Sequence, residues 1–197
     1  MALSMADRTD NTEVVAQVDN FLKLVEAKMN RALIAQKMSI ILNVPCTGAE
    51  FYTLPADYLS LKDIHAIDTA TLGNKATFSY LSQEQIANAA ANVATSYYYA
   101  LVNNVLQVYP KLDATKTLVL TYFSRLVPLT SIATSNWMSI YNPDCYVFGL
   151  LAQINIFVKD YEAGAAWNAQ FKETLGDIDF QDSKSTWSGP ALTTKRG

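Results

Sequence analysis

Residues 142–167 read NPDCYVFGLLAQINIFVKDYEAGAAW, and how this stretch is buried decides the architecture. Asn142 suits a helix cap and Pro143 the first helical position, so a helix starts here. The body of that helix is apolar almost all the way round: Cys145, Tyr146, Val147, Phe148, Leu150, Leu151, Ile154, Ile156, Phe157 and Val158. A surface helix has one apolar stripe and a polar remainder. Here polarity arrives only with Lys159 and Asp160. A membrane span needs about 20 apolar residues, and Gln153 and Asn155 interrupt this run. The reading that remains is a central helix with neighbours on most sides, whose charged exit returns the chain to the surface.

Those neighbours are found at both ends of the chain. Val14, Val18, Phe21, Leu22, Val25, Met29 and Leu33 recur at three- and four-residue steps, predicting an amphipathic helix over 11–36. Glu26, Lys23, Lys28 and Arg31 lie off that stripe. Ala163, Trp167, Phe171, Leu175 and Ile178 predict a last helix over 162–178. Beyond it, QDSKSTWSGPALTTKRG has no periodicity and reads as an extended, disordered tail. Trp187 in that tail is either an anchor for a partner or an aromatic folded back on its own domain.

The middle of the chain has strand texture. SIILNV ends at Pro45, and LSLKDIHAIDT alternates imperfectly between apolar and polar residues. Gly73-Asn74 marks a turn, and Ser82 opens a short helix. Asn103-Asn104 suits a two-residue hairpin, because asparagine tolerates positive φ. Leu118, Leu120 and Tyr122 fall on one side of a further strand. Five or six short strands are expected between 39 and 125. The fold class is therefore α+β. A helical bundle (1–37 and 127–180) carries an antiparallel β insertion (38–126) and a flexible C-terminal tail (181–197). The segment from Leu129 to Asn142 is expected as a loop with one helical turn near 134–140.

Composition narrows function mainly by exclusion. The chain of 197 residues is 50% hydrophobic and 17% charged, with net charge −3 and eleven tyrosines. That is no polyanion or polycation. Cys46 and Cys145 form neither a disulfide framework nor a zinc pattern. No basic leader precedes an apolar run, so no secretory signal is expected and the chain reads as made in a cytoplasm. Phosphate-binding glycine loops and basic–aromatic nucleic-acid patches are absent from the sequence. Asp160 and Glu162 are not spaced to share a metal. One histidine, His65, with Cys145 is the obvious nucleophilic pair, and no known nucleophile motif surrounds Cys145.

The order of elements carries more. AQVDNFLKLVEAKMNRAL is followed by FYTLPADYLSLKDI, then YYYALVNNVLQVYP, LVLTYFSRLVPLT and SNWMSIYNPDCYVFGLLAQINIFVKDYEAGAAWNAQF. Together, over roughly residues 12–178, these resemble the head–tail adaptor family of tailed bacteriophages, also called connector, head-completion or tail-tubular-A-type proteins. The most specific match is the Pro-Asp-x-Tyr-x-x-Gly-x-Leu helix, placing Asn142, Pro143, Asp144, Tyr146, Gly149 and, after the charged break, Trp167 in the family motif. Cys145, Gln153 and Asn155 depart from the alanine-rich pattern usual there. The resemblance implies a non-enzymatic protein without cofactor or metal. It implies a dodecameric ring on the portal protein at the head–tail junction of the virion. That ring extends the channel through which genomic DNA passes without sequence-specific binding, and meets a tail tube or nozzle protein. By analogy with relatives, the tail with Trp187, Lys195 and Arg196 is the portal-facing arm. The rival readings are another virion ring component, such as a tail terminator or nozzle protein, and a small cytoplasmic enzyme using Cys145 and His65.

Overall fold

A computed structural model describes residue 4 and residues 11–69, 75–91, 96–130 and 132–187. The chain divides into two units, Met1–Lys37 with Leu126–Gly197, and Met38–Arg125. Among the described residues there are five α-helices and seven strands, an α+β fold.

In the first unit, α1 spans Thr12–Ala32 and is capped by the Asn11 side chain, which accepts the Glu13 and Val14 N–H groups. The helix is shorter than its apolar stripe. Leu33 has extended dihedrals (φ −112, ψ 137) yet remains buried, so the stripe outlasts the helix that began it. A short α3, Trp137–Tyr141, leads into α4, Pro143–Phe157, and α5, Tyr161–Trp187.

α4 is the central helix, packed against α1, α3 and α5. Cys145, Tyr146, Leu151, Ala152 and Ile154 are buried, but Ile156 and Phe157 are 43% and 42% exposed. Burial is therefore broad rather than all-round. Gly149 sets the closeness of approach. A Cβ there would lie 2.7 Å from Val25 Cγ1 and 3.1 Å from Phe171 Cε2, so α1 and α5 both press on this one position.

The charged break is a helical hairpin made by two residues. Lys159 takes a left-handed conformation (φ 66), and the Asp160 N–H reaches back to the Asn155 carbonyl at 2.9 Å. Asp160 then accepts the Ala163 N–H at 3.1 Å, starting α5. α5 runs farther than expected. Residues 181–187 are helical and not extended chain, because Asp182, one turn after Ile178, accepts the Gln36 N–H with both carboxylate oxygens (2.9 and 3.0 Å).

The second unit is one seven-stranded sheet, larger than the five or six strands expected: β1 (Ser39–Pro45), β2 (Phe51–Thr53), β3 (Tyr58–Asp68), β4 (Lys75–Tyr80), β5 (Tyr97–Val102), β6 (Val105–Tyr109) and β7 (Lys116–Ser124). Their order is β1-β7-β3-β4-β5-β6-β2. Sequence-adjacent β1 and β2 thus lie at opposite edges. From Pro45 to Phe51 the chain spans at most ~22 Å, whereas a flat sheet of this size would separate its outer strands by about 29 Å. The sheet must curl. It encloses Ile64, Ala66, Leu106, Val108, Leu118 and Leu120, joined by Tyr52 and Leu54.

The insertion is not wholly antiparallel: β4 and β5 pair in parallel. The reason is α2, Gln83–Ala91, which sits between them and supplies the long crossover a parallel pair requires. It begins with the expected cap, Ser82 and Gln85 exchanging reciprocal hydrogen bonds at 2.9 and 3.2 Å. The Asn103-Asn104 hairpin also forms, with Asn103 at φ 55. The imperfect alternation in β3 corresponds to two register shifts against β7, at Tyr58/Ser60 and Leu61/Asp63. The Gly73-Asn74 turn lies outside the described residues.

Candidate functional site

The polar chemistry of the helical unit converges on Tyr146. Its side chain is buried, and its hydroxyl donates to Glu26 Oε1 at 3.2 Å while accepting the Asn136 Nδ2–H at 2.7 Å. Burial, reinforced by Glu26 and partly offset by the Asn136 amide, holds the phenol well above its ordinary range. Asn136 also donates to the Val127 carbonyl (2.8 Å) and forms a reciprocal capping box with Ser139. Glu26 accepts the Leu129 N–H at 2.8 Å, and Asn30, one turn along α1, accepts the Leu126 N–H at 2.8 Å. α1 thereby holds the irregular segment after Arg125 by two side chains at i and i+4.

These groups are structural in their geometry: each bond satisfies a polar atom that burial would otherwise strand. Sequence reasoning misses the network, since Glu26 lies off the apolar stripe, where a carboxylate reads as solvent-facing. The signal available in the sequence is the Glu26/Asn30 pair itself, two acceptors four residues apart at the border of a core-facing stripe.

The motif residues have separate duties. Asn142 makes no side-chain cap bond, so the expected capping role is not filled, while Pro143 occupies the first turn of α4 as expected. Asp144, exposed, lies in that same first turn, where its charge suits the helix dipole. Gly149 is the close-approach point. Trp167 stacks on Phe148 with centroids 5.7 Å apart and planes 19° from parallel, closing the α4–α5 contact. Trp187 is the last residue of α5. Lys195 and Arg196 lie outside the described residues.

The candidate nucleophile is ill-suited to catalysis. Cys145 is fully buried, and burial, with a smaller contribution from Asp144, pushes its thiol up to about 12. A thiolate nucleophile needs the opposite shift. His65 Nδ1 lies 2.9 Å from Asp63 Oδ2 on β3. Among the described residues no His, Cys, Asp or Glu cluster could hold a metal, and no helix is long and apolar enough to cross a membrane.

Two clefts open on the helical unit. One of about 650 Å³ lies between α1 (Asp19, Leu22, Lys23, Glu26) and Pro128, Leu129, Thr130 and Thr134. The other, about 310 Å³, is lined by Lys37, Trp137, Tyr141, Ile178 and Asp182. In it the Lys37 ammonium sits 3.5 Å from the Tyr141 ring centroid and 5.9 Å from that of Trp137. Large apolar groups remain exposed on this unit: Val127, Ile132, Ile140 and Tyr141 are 57%, 95%, 61% and 65% accessible. Apolar groups left exposed on a folded surface are available for contact with other proteins where they join into a patch.

Comparison with known proteins agrees with that character. The family profile described as SU10 adaptor protein matches residues 2–194. A search of curated proteins returns no match.

Proposed function

Since this chain belongs to the SU10 adaptor protein family, a family of phage head–tail adaptors, we propose that it forms a dodecameric ring on the portal protein at the head–tail junction. The ring extends the DNA channel and offers a platform to a tail tube or nozzle protein. The observation that carries this reading is the family match across nearly the whole chain, from residue 2 to residue 194.

The physical character of the subunit supports it. Buried polar groups of the helical unit are used in holding its own segments together, and its exposed surface includes the apolar side chains of Val127, Ile132, Ile140 and Tyr141. A rigid subunit with apolar surface suits lateral and axial contacts. Net charge −3 suits a wall that DNA slides past, because gripping phosphates requires an excess of lysine and arginine. The portal-facing arm in this reading is the C-terminal segment with Trp187, Lys195 and Arg196, delivered by α5. The helix bearing Asn142, Pro143, Asp144, Tyr146 and Gly149 acts as the internal strut, tied through Trp167 to the helix that carries the arm.

Mixing purified portal with the full chain, read by native mass and electron microscopy, tests the proposal. A ring with one copy per portal subunit is expected. Absence of any complex with the portal, alongside binding to a tail component alone, overturns it in favour of a tail terminator or nozzle protein.

A further inference from the structure

Two helices of the helical unit carry complementary triads at the same spacing. On α1, Leu24, Lys28 and Arg31 stand at i, i+4 and i+7, on one face of the helix. Leu24 is 52% exposed, Arg31 is exposed and Lys28 is half-buried. Lys172 of α5 lies beside them, since Val25, three residues before Lys28, and Phe171 both press on Gly149. None of these three cations forms an ion pair among the described residues. Burial, then the charges of Arg31 and Lys172, push the Lys28 ammonium below its ordinary pKa. The folded chain thus gathers like charges on this face and leaves the counter-charge to come from outside.

On α5, Glu173, Asp177 and Phe180 repeat the i, i+4, i+7 spacing. All three are exposed, Phe180 by 60%. Each follows by two residues a member of the buried stripe Phe171, Leu175 and Ile178, so the triad faces away from the core. Glu173 accepts the Gln170 side-chain amide at 3.3 Å, and neither acid has an ion pair among the described residues. The Lys184 ammonium lies 4.4 Å from the Phe180 ring centroid, one turn farther on.

We propose that the two triads meet between copies of this chain. α1 of one copy lies antiparallel to α5 of the next, with Leu24 on Phe180, Lys28 facing Asp177 and Arg31 facing Glu173. From the apolar residue, the charges stand about 6 and 10.5 Å away on α1 and about 4.5 and 10.5 Å away on α5, so every pair falls within one residue's rise of register. Lys184 then falls against uncharged Asn20. Parallel helices would instead set Leu24 against Glu173 and Arg31 against Phe180. The inference rests on the ring reading above, in which one copy's α1 and its α5 meet different neighbours, a head-to-tail contact that closes when the rotation permits.

Two charge-reversed chains test it: Lys28→Glu with Arg31→Glu, and Glu173→Lys with Asp177→Lys, their folds checked by circular dichroism. Self-association is measured by sedimentation of the full chain at high concentration and by electron microscopy on the portal. Each variant alone is expected to lose at least about tenfold in self-association. An equal mixture is expected to regain it, since each variant's α1 then complements the other's α5. No association of the unsubstituted chain in either setting, unchanged association of either variant alone, or a mixture that fails to recover overturns the inference. Leu24→Cys with Phe180→Cys in one chain, whose native cysteines are buried, is expected to give a ladder beyond dimers under mild oxidation; a product that stops at a dimer overturns the head-to-tail contact. Binding of duplex DNA that Lys28→Glu with Arg31→Glu abolishes, while self-association persists, overturns it in favour of a phosphate site. Rings that both variants form on the portal as readily as the unsubstituted chain sink the inference and leave the ring reading intact. Recovery in the mixture without any portal binding does the reverse.

Discussion

Asp182 grips the backbone N–H of Gln36 with both carboxylate oxygens, at 2.9 and 3.0 Å, across 146 residues of sequence. The contact fastens the last turns of α5 to the chain just beyond α1. Asp182→Ala is expected to cost about 1 kcal/mol, the ordinary value of a partly exposed charge-assisted bond. The loss should be local. Hydrogen exchange should accelerate in residues 178–187 and stay unchanged in 143–157; uniform acceleration would show that the contact is not confined to the end of α5.

Tyr146→Phe removes one hydroxyl and leaves both Glu26 and Asn136 a partner short inside the unit. A cost of about 1–3 kcal/mol is expected, measured by denaturant unfolding. Glu26→Ala should cost more, since it strands the Leu129 N–H as well as the Tyr146 hydroxyl. The two changes act on one network, so their double variant should be less destabilised than the sum of the singles. Strict additivity would show that the network does not act as a unit.

The helical half is legible because its order rests on a period. Val14, Phe21, Val25 and Met29 are buried as their spacing requires, and so are Phe171, Leu175 and Ile178. Legibility ends where the same face changes chemistry. The next position after Ile178 is Asp182, which joins the fold by a hydrogen bond rather than by burial of apolar surface, so an apolar stripe cannot reveal the last turns of α5. Glu26 is hidden for the same reason. In the β unit, strand positions come from alternation, and Leu118, Leu120 and Tyr122 do share the inner face. Pairing partners do not, because β1 joins β7 and β2 joins β6 across long stretches of chain. The parallel β4–β5 pair depends on reading α2 as a crossover rather than as an isolated helical turn.

Gly149 gives a test of how tightly the three helices meet. Gly149→Ala places a Cβ at 2.7 Å from Val25 Cγ1, a distance that neither helix can accept without shifting. Overpacking of this kind costs about 1–3 kcal/mol. Val25→Ala alone should also destabilise, by opening a cavity. Combined, the two should partly repair each other, because the new methyl occupies space the lost ones vacated. A double variant no better than the sum of its parts would refute this account of the glycine.

Stability should also fall in alkali, and the sign is set by Cys145 and Tyr146. Burial raises the Cys145 thiol from its ordinary 9.0 to about 12, and it raises the Tyr146 phenol in the same direction. The folded state therefore holds these protons more tightly than the unfolded chain. The stabilisation is complete below the unfolded value near 9 and is lost as pH climbs through the folded one. For Cys145 the window runs from about 9 to 12, with a slope of at most ~1.4 kcal/mol per pH unit. Cys145→Ala should lose its share of that slope while keeping the rest, and Tyr146→Phe should behave likewise. The measurement is unfolding free energy against pH for the three proteins. Parallel curves above about pH 9 would mean that alkaline unfolding is driven by other groups.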